Sequence, residues 1–308
     1  MLTQKDIFGY APDPQYAKPV AYFSMEFAIH YALQIYSGGL GFLAGSHMRS
    51  AYELKQNLIG IGLLYKYGYY DQERNGDRTM VPRYIEKHYH FLTDTGIVFK
   101  IPIHAAQVHV KAYLLKPEVF GTAPVFLLST DIPENDAISR TITERLYDPN
   151  EATRVAQSMV LGIGGAKLID ELGLNIDIYH MNEGHGLPLC FYLYDKYKSK
   201  EEVKKRVVFT THTPEKAGNE ERSVSLLDDM NFFYTENKEP LLKELNIWGD
   251  KLDYTLAAMK FSKIANGVSQ LHGEVAREMW ADKEGVPNII AITNAQNHTY
   301  WCDEVLDT

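Results

Sequence analysis

Ile176-Asp177-Ile178-Tyr179 runs into His180-Met181-Asn182-Glu183-Gly184-His185-Gly186, and Val207-Val208-Phe209-Thr210 runs into Thr211-His212-Thr213-Pro214. Each is a short apolar run that stops at a polar, histidine-bearing cluster, as a buried strand does when it delivers side chains at its carboxyl end. The pattern repeats on either side. Upstream, residues 20–27 are apolar and aromatic enough for a buried strand. A glycine turn follows (Ser37-Gly38-Gly39-Leu40-Gly41), then a helical stretch over 42–57 and a strand-like run over 59–65. Downstream, residues 267–271 lead to His272-Gly273-Glu274, and residues 289–293 end on Thr293-Asn294. Ala152, Val155, Ala156, Met159, Val160, Ile163 and Ala166 recur at helical spacing, and Leu252, Leu256 and Met259 mark a further helix. Strands alternating with helices predict an α/β fold, a mostly parallel sheet with helices on both faces, and ligands at the carboxyl ends of its strands. Residues 97–103, 108–115 and 125–129 read instead as a meander.

The 308 residues are 45% hydrophobic and 23% charged, with a net charge of −9, ample for a buried core. An acidic balance disfavours nucleic acid and anionic membrane as partners. The chain start has no apolar signal run, and no stretch is long enough to cross a bilayer. Cys190 and Cys302 are far apart and without CxxC spacing, which suits a reducing, cytoplasmic setting and argues against a disulfide framework.

Each polar cluster has a plain alternative. The glycine turn either cradles phosphate on free N–H groups at a helix start or is only a tight turn. Gly39-Leu40-Gly41-Phe42-Leu43-Ala44 also fits a loose dinucleotide fingerprint, but Lys66 and Tyr67 stand where the next strand would need an acid for the ribose, so a nicotinamide cofactor is rejected. His180 and His185 are five apart rather than the four of a helical zinc pair, so no metal is expected. Asn182, Glu183 and His185 are expected to hydrogen-bond a polyol or one another. His212 is either a satisfied structural histidine or a sugar and transition-state contact. No GxSxG nucleophile is present, and the charged run over 198–206 reads as a solvated helix face.

Taken in order, these blocks resemble the α-glucan phosphorylases (glycogen, starch or maltodextrin), in their compact bacterial form. The matching stretches include VAYFSMEF from Val20, IYSGGLGFLAGSHMRSA from Ile35, GIGLLYKYGYYDQ from Gly60, ATRVAQSMVLGIGGAKLI from Ala152, YHMNEGH from Tyr179, FTTHTPEKAGN from Phe209, ANGVSQLHGEVAREMW from Ala265 and ITNAQNHTYW from Ile292. The resemblance implies that residues 1–308 are the amino-terminal Rossmann-like lobe of a two-lobe glycosyltransferase. Such an enzyme moves a terminal glucosyl unit from an α-1,4-glucan to inorganic phosphate, giving glucose 1-phosphate. It further implies that Gly38, Gly39 and Leu40 offer N–H groups to phosphate and sugar, and that His212 supports the transition state. Asn294 would bind a sugar hydroxyl, Asn182, Glu183 and His185 would line the pocket, and Thr213 would steady the loop of His212. Pyridoxal phosphate is the implied cofactor, held by a lysine in a second lobe outside this chain, so the isolated chain is expected to be inactive. The implied partners are the glucan, phosphate, and a second lobe or a homodimer mate. Two departures stand out. Thr293-Asn294-Ala295 replaces the family's Thr-Asn-Gly, and the loop holding Asp148 and Asn150 is shorter than in the large enzymes. Transfer from a nucleotide sugar, as in glycogen or starch synthases, and non-catalytic glucan binding are the competing readings.

Overall fold

The computed structural model describes residues 2–215, 219–235, 238–245, 249–303 and 305. Residues 216–218 of the block beginning at Phe209, and Thr308, lie outside them.

Nine strands build one sheet: β1 (Val20–Phe23), β2 (Leu58–Leu63), β3 (Thr93–Ile103), β4 (Ala106–Leu115), β5 (Val125–Ser129), β6 (Ile178–Asn182), β7 (Val207–Thr210), β8 (Ile264–Gly267) and β9 (Ile289–Ala291). Their order is β9-β8-β7-β6-β1-β2-β5-β4-β3. Every neighbouring pair from β9 to β5 is parallel, whereas β4 runs antiparallel to both β5 and β3. The meander over 93–129 is therefore present. Its connections are too short for the crossover that parallel pairing needs.

The principal helices are α1 (Gly39–Glu53), α2 (Glu151–Met159), α3 (Gly165–Glu171), α4 (Pro188–Tyr197), α5 (Tyr254–Lys260) and α6 (Gln270–Met279). A π-helical turn, Val160–Gly164, joins α2 to α3. All of β2 is buried, as its unbroken apolar run requires of a strand covered twice. Its two faces meet different helices. A Cβ at Gly60 would touch Met48 of α1, and one at Gly165 of α3 would press on Ile61 at 2.6 Å. Gly60 and Ile61 are adjacent in β2 and point to opposite faces, so α1 covers one face and α3 the other.

Several expected boundaries move. Helix α1 starts at Gly39, so two glycines assigned to the turn belong to its first turn. Strand β8 starts three residues ahead of the apolar run from which it was expected and meets it only at Gly267, and His272-Gly273-Glu274 sit inside α6 instead of at a strand end. Leu252 lies on a short strand, Lys251–Asp253, ahead of α5. Cys190 and Cys302 are both free thiols. Among the described residues, no helix is long and apolar enough to cross a membrane.

Candidate functional site

From β1 the chain winds one way to β2 and β5, and from β6 it winds the other way to β7, β8 and β9. The strand order therefore reverses between β1 and β6, and the crevice outside their carboxyl ends is where an open α/β sheet binds ligands. Ser24 and Glu26 follow β1 there, Asn182 closes β6 and Glu183 follows it, and Thr211, His212 and Thr213 follow β7.

One chain of hydrogen bonds crosses this seam. The Ser24 hydroxyl donates to the Glu26 carbonyl at 2.8 Å, so its oxygen is left to accept from Asn182 Nδ2 at 3.1 Å. That orientation turns Asn182 Oδ1 toward His212 Nε2, 2.7 Å away. A carbonyl oxygen only accepts, so His212 carries its proton on Nε2 and keeps Nδ1 as an acceptor. Burial holds the His212 pKa below its ordinary value, against the opposing pull of Glu183, and the ring is neutral at neutral pH. Glu183 braces the same loop. Its carboxylate accepts the His212 backbone N–H and the Thr213 hydroxyl at 3.3 Å. Glu183 does so from φ +68°, a left-handed conformation that costs a non-glycine residue about 1 kcal/mol or more and that tertiary contacts must hold.

The glycine turn is organised from within. Glu26 is 2% exposed. Its Oε2 accepts the N–H of Ser37 at 2.6 Å and of Gly38 at 3.2 Å, while Oε1 accepts the Tyr147 hydroxyl at 2.7 Å. Gly38 therefore has no N–H to spare for an outside anion. The first helical bond is Phe42 N–H to Gly38 O at 3.2 Å, which leaves the N–H groups of Gly39 and Leu40 without a helical partner. A Cβ at Gly38 or Gly39 would meet nothing within 4 Å, and neither residue is left-handed. Neither packing nor φ demands glycine here, so the space above the turn is open for something to approach.

Leu40, Glu183, His185, His212, Thr213 and Tyr254 line a cleft of about 210 Å³ beneath that space. Two of its buried polar atoms, His185 Nδ1 and the Tyr254 hydroxyl, have no partner among the described residues. On its far wall Glu220 is paired with Arg154 at 2.9 Å. A neighbouring cleft of about 350 Å³ is lined by Tyr22, His47, His180, Asn182, Asn266 and Asn294. Asn294 lies here and not among the residues of the first cleft. Neither cleft is lined by lysine or arginine among the described residues. Among the described residues, no group of three or more His, Cys, Asp or Glu is placed to hold a metal.

His180 gives the second cleft a pH dependence. Its Nε2 lies 2.8 Å from the Thr210 hydroxyl, which donates to Asn266 Oδ1 at 2.8 Å. Burial, aided by His47 and His212, drives the His180 pKa down to about 3. The unfolded chain takes up this proton below about pH 6.5 and the folded chain does not. Stability should thus be unaffected by His180 above that pH and fall progressively below it, by about 2 kcal/mol at pH 5. Urea midpoints at pH 7.5 and 5.0 should show this loss, and His180→Gln should reduce it. An equal loss in that variant would remove His180 as the cause.

Ser24, Glu26, Tyr147 and Asn266 were not anticipated. Only Glu26 carried a sequence signal, a lone carboxylate inside the apolar run VAYFSMEF, since an acid buried there must have partners.

No family model matches the chain. It is 49% identical over 289 residues to an uncharacterized protein of Methanocaldococcus jannaschii, covering 94% of this chain and 55% of that protein. It is 33% identical over 311 residues to the maltodextrin phosphorylase of Thermococcus litoralis (94% of this chain, 37% of that one). Against the glycogen phosphorylase of Mycobacterium tuberculosis the identity is 32% over 321 residues (92% and 37%). The chain spans about half the length of the first relative and little more than a third of the other two.

Proposed function

Starting from this kinship with maltodextrin and glycogen phosphorylases along nearly the whole chain, we propose that the chain is the amino-terminal lobe of an α-glucan phosphorylase. Its part in the reaction, on this reading, is to hold the glucosyl unit that passes from the glucan to phosphate. The observation that carries the proposal is the open space over Gly38 and Gly39, above a cleft with two orphaned buried polar atoms, His185 Nδ1 and the Tyr254 hydroxyl. A polyol approaching the turn can take the N–H groups of Gly39 and Leu40 and satisfy those atoms. The neutral His212 offers Nδ1 to a sugar hydroxyl, and its ring is aimed by Asn182. Held against the sugar, it can also feel charge developing there. Glu183 and Thr213 serve by fixing the loop of His212. Asn294, from the adjoining cleft, completes the sugar's surroundings only if the ligand reaches past Asn182.

The same geometry separates sugar from phosphate. The cleft's charged walls are Glu183 and the paired Glu220, and Glu26 already sits on the turn. A phosphate dianion needs cations, and pyridoxal phosphate needs an amine for its aldehyde as well. The described residues lining the two clefts supply neither, so they do not fit the cofactor as its holders. In this reading the second lobe of a GT-B-type enzyme brings the lysine, the cations and the cofactor, in the cytoplasm. That cofactor's phosphate is where general acid–base chemistry would come from.

Calorimetric titration with malto-oligosaccharides tests the proposal. The chain should bind them and should produce no glucose 1-phosphate from maltoheptaose and phosphate. Gly39→Ala should lower the affinity about tenfold with no loss of stability, because the added methyl occupies ligand space and no protein space. Unchanged binding by Gly39→Ala would remove the turn from the site. Phosphorolysis by the chain alone would show that its own residues suffice.

A further inference from the structure

Past β9 the backbone runs as a strap from the β8 side of the second cleft to α1. Its near end is moored by backbone bonds, Ile292 N–H to Gly267 O at 3.0 Å and Asn294 N–H to Val268 O at 2.9 Å. Residues 292–296 line the cleft together with Leu43, Ser46, His47 and Ser50, which form one face of α1 at i, i+3, i+4 and i+7. All five strap residues are exposed, whereas Asn297, which follows them, is only 3% exposed.

Asn297 is the far mooring. It caps the helical turn His298–Trp301, its Oδ1 accepting the Tyr300 N–H at 2.9 Å. That commitment leaves the amide nitrogen for α1, where Nδ2 donates to Ser50 Oγ at 3.1 Å and to Glu53 Oε2 at 3.0 Å. Both of its amide protons are thereby used. The turn is seated on α1 by its rings as well. The Arg49 guanidinium lies 3.6 Å from the centre of the Tyr300 ring, and the rings of Trp301 and Phe42 are 5.9 Å apart. Arg49 is itself fixed by the carbonyls of Ile29 and Phe120. From Phe42 to Glu53 these contacts follow about three turns of the helix that begins at Gly39. A run of exposed residues keeps one position only when its ends are held.

We propose that Asn297 is a positioning residue of the ligand site, a latch that holds the strap to α1 and so keeps Asn294 in place beside the sugar. The proposal rests on the reading of Asn294 as a sugar contact.

The test follows amide hydrogen exchange by NMR in wild type, Asn297→Ala, Asn297→Asp, Glu53→Gln and the pair Asn297→Asp/Glu53→Gln, with calorimetric titration of maltoheptaose alongside. The Asn294 N–H should exchange about tenfold faster in Asn297→Ala, the scale of one or two lost hydrogen bonds. Asn297→Asp keeps the cap on Tyr300 but sets an anion against Glu53, and it should exchange as fast. Adding Glu53→Gln restores a donor across that contact and should recover the wild-type rate. Glu53→Gln alone, whose amide oxygen still accepts, should change nothing. Maltoheptaose affinity should follow the exchange, about fivefold weaker in the two single Asn297 variants and recovered in the pair, because affinity falls with the competent fraction. Unchanged Asn294 exchange in Asn297→Ala overturns the latch, whatever the sugar does. Faster exchange with wild-type maltoheptaose affinity, where Gly39→Ala weakens it, overturns the positioning role and leaves the glucosyl site standing. If wild type binds no maltoheptaose, the reading of the site falls and the positioning role falls with it.

Discussion

Gly45→Ala should abolish folding of the chain. A Cβ at Gly45 would lie 2.0 Å from the Ala28 carbonyl oxygen and 2.6 Å from its carbon. These are backbone atoms, and the segment is fixed further by the Ala28 N–H bond to Gly41 O at 2.8 Å. Helix propensity alone points the other way, since Gly→Ala inside a helix ordinarily gains about 1 kcal/mol. Relieving the clash means pushing α1 off the 24–38 loop, at a cost of about 4 kcal/mol or more. Circular dichroism of the purified variant against urea decides the matter, and a midpoint at or above that of wild type would refute the packing. The contrast with Gly39→Ala is the useful part. Two glycines in one helix should respond oppositely, one because backbone presses on it and the other because nothing does.

Glu26→Ala should cost about 3 kcal/mol or more. The buried carboxylate accepts from two backbone N–H groups and the Tyr147 hydroxyl, and its removal takes the acceptor from three partly buried hydrogen bonds and leaves a cavity where the side chain was. Glu26→Gln keeps one acceptor oxygen and should lose roughly half as much. The damage should also reach the site, because Glu26 fixes where α1 begins, and malto-oligosaccharide affinity should fall in the fraction that still folds. A Glu26→Ala variant within 1 kcal/mol of wild type by urea titration would mean that the turn stands without its carboxylate.

The sequence made the sheet legible wherever burial on both faces wrote an unbroken apolar run, as in β2, β5 and β7. It misplaced β8 because Asn266 interrupts the strand while Val268 and Leu271 prolong the apolar signal beyond it. The interruption is structural, since Asn266 accepts the Thr210 hydroxyl across to β7. The start of α1 was read three residues late because glycine is the poorest helix former short of proline, and three of the five turn residues are glycine. The site was visible as strand-end clusters, and the structure gathers Leu40, Glu183, His185, His212 and Thr213 around one cleft. The donor economy was not visible. Nothing in the spacing of Gly38 shows that Glu26 already takes its N–H, or that Asn182 fixes the tautomer of His212. Such facts depend on partners far away in the chain.

That remoteness has a consequence for biogenesis. Ser24 and Asn182, bonded across the central seam, are 158 residues apart. As the chain leaves the ribosome, β1 can pair early with β2, while its other edge waits for β6 to emerge. Throughout that interval the middle of the future sheet is an unpaired, apolar edge, a template for wrong partners. Closing it is a long-range, slow step, and the same step assembles the crevice. A newborn chain is therefore most exposed to aggregation until the moment its ligand site comes into being, and a ligand spanning the seam would favour the joined form.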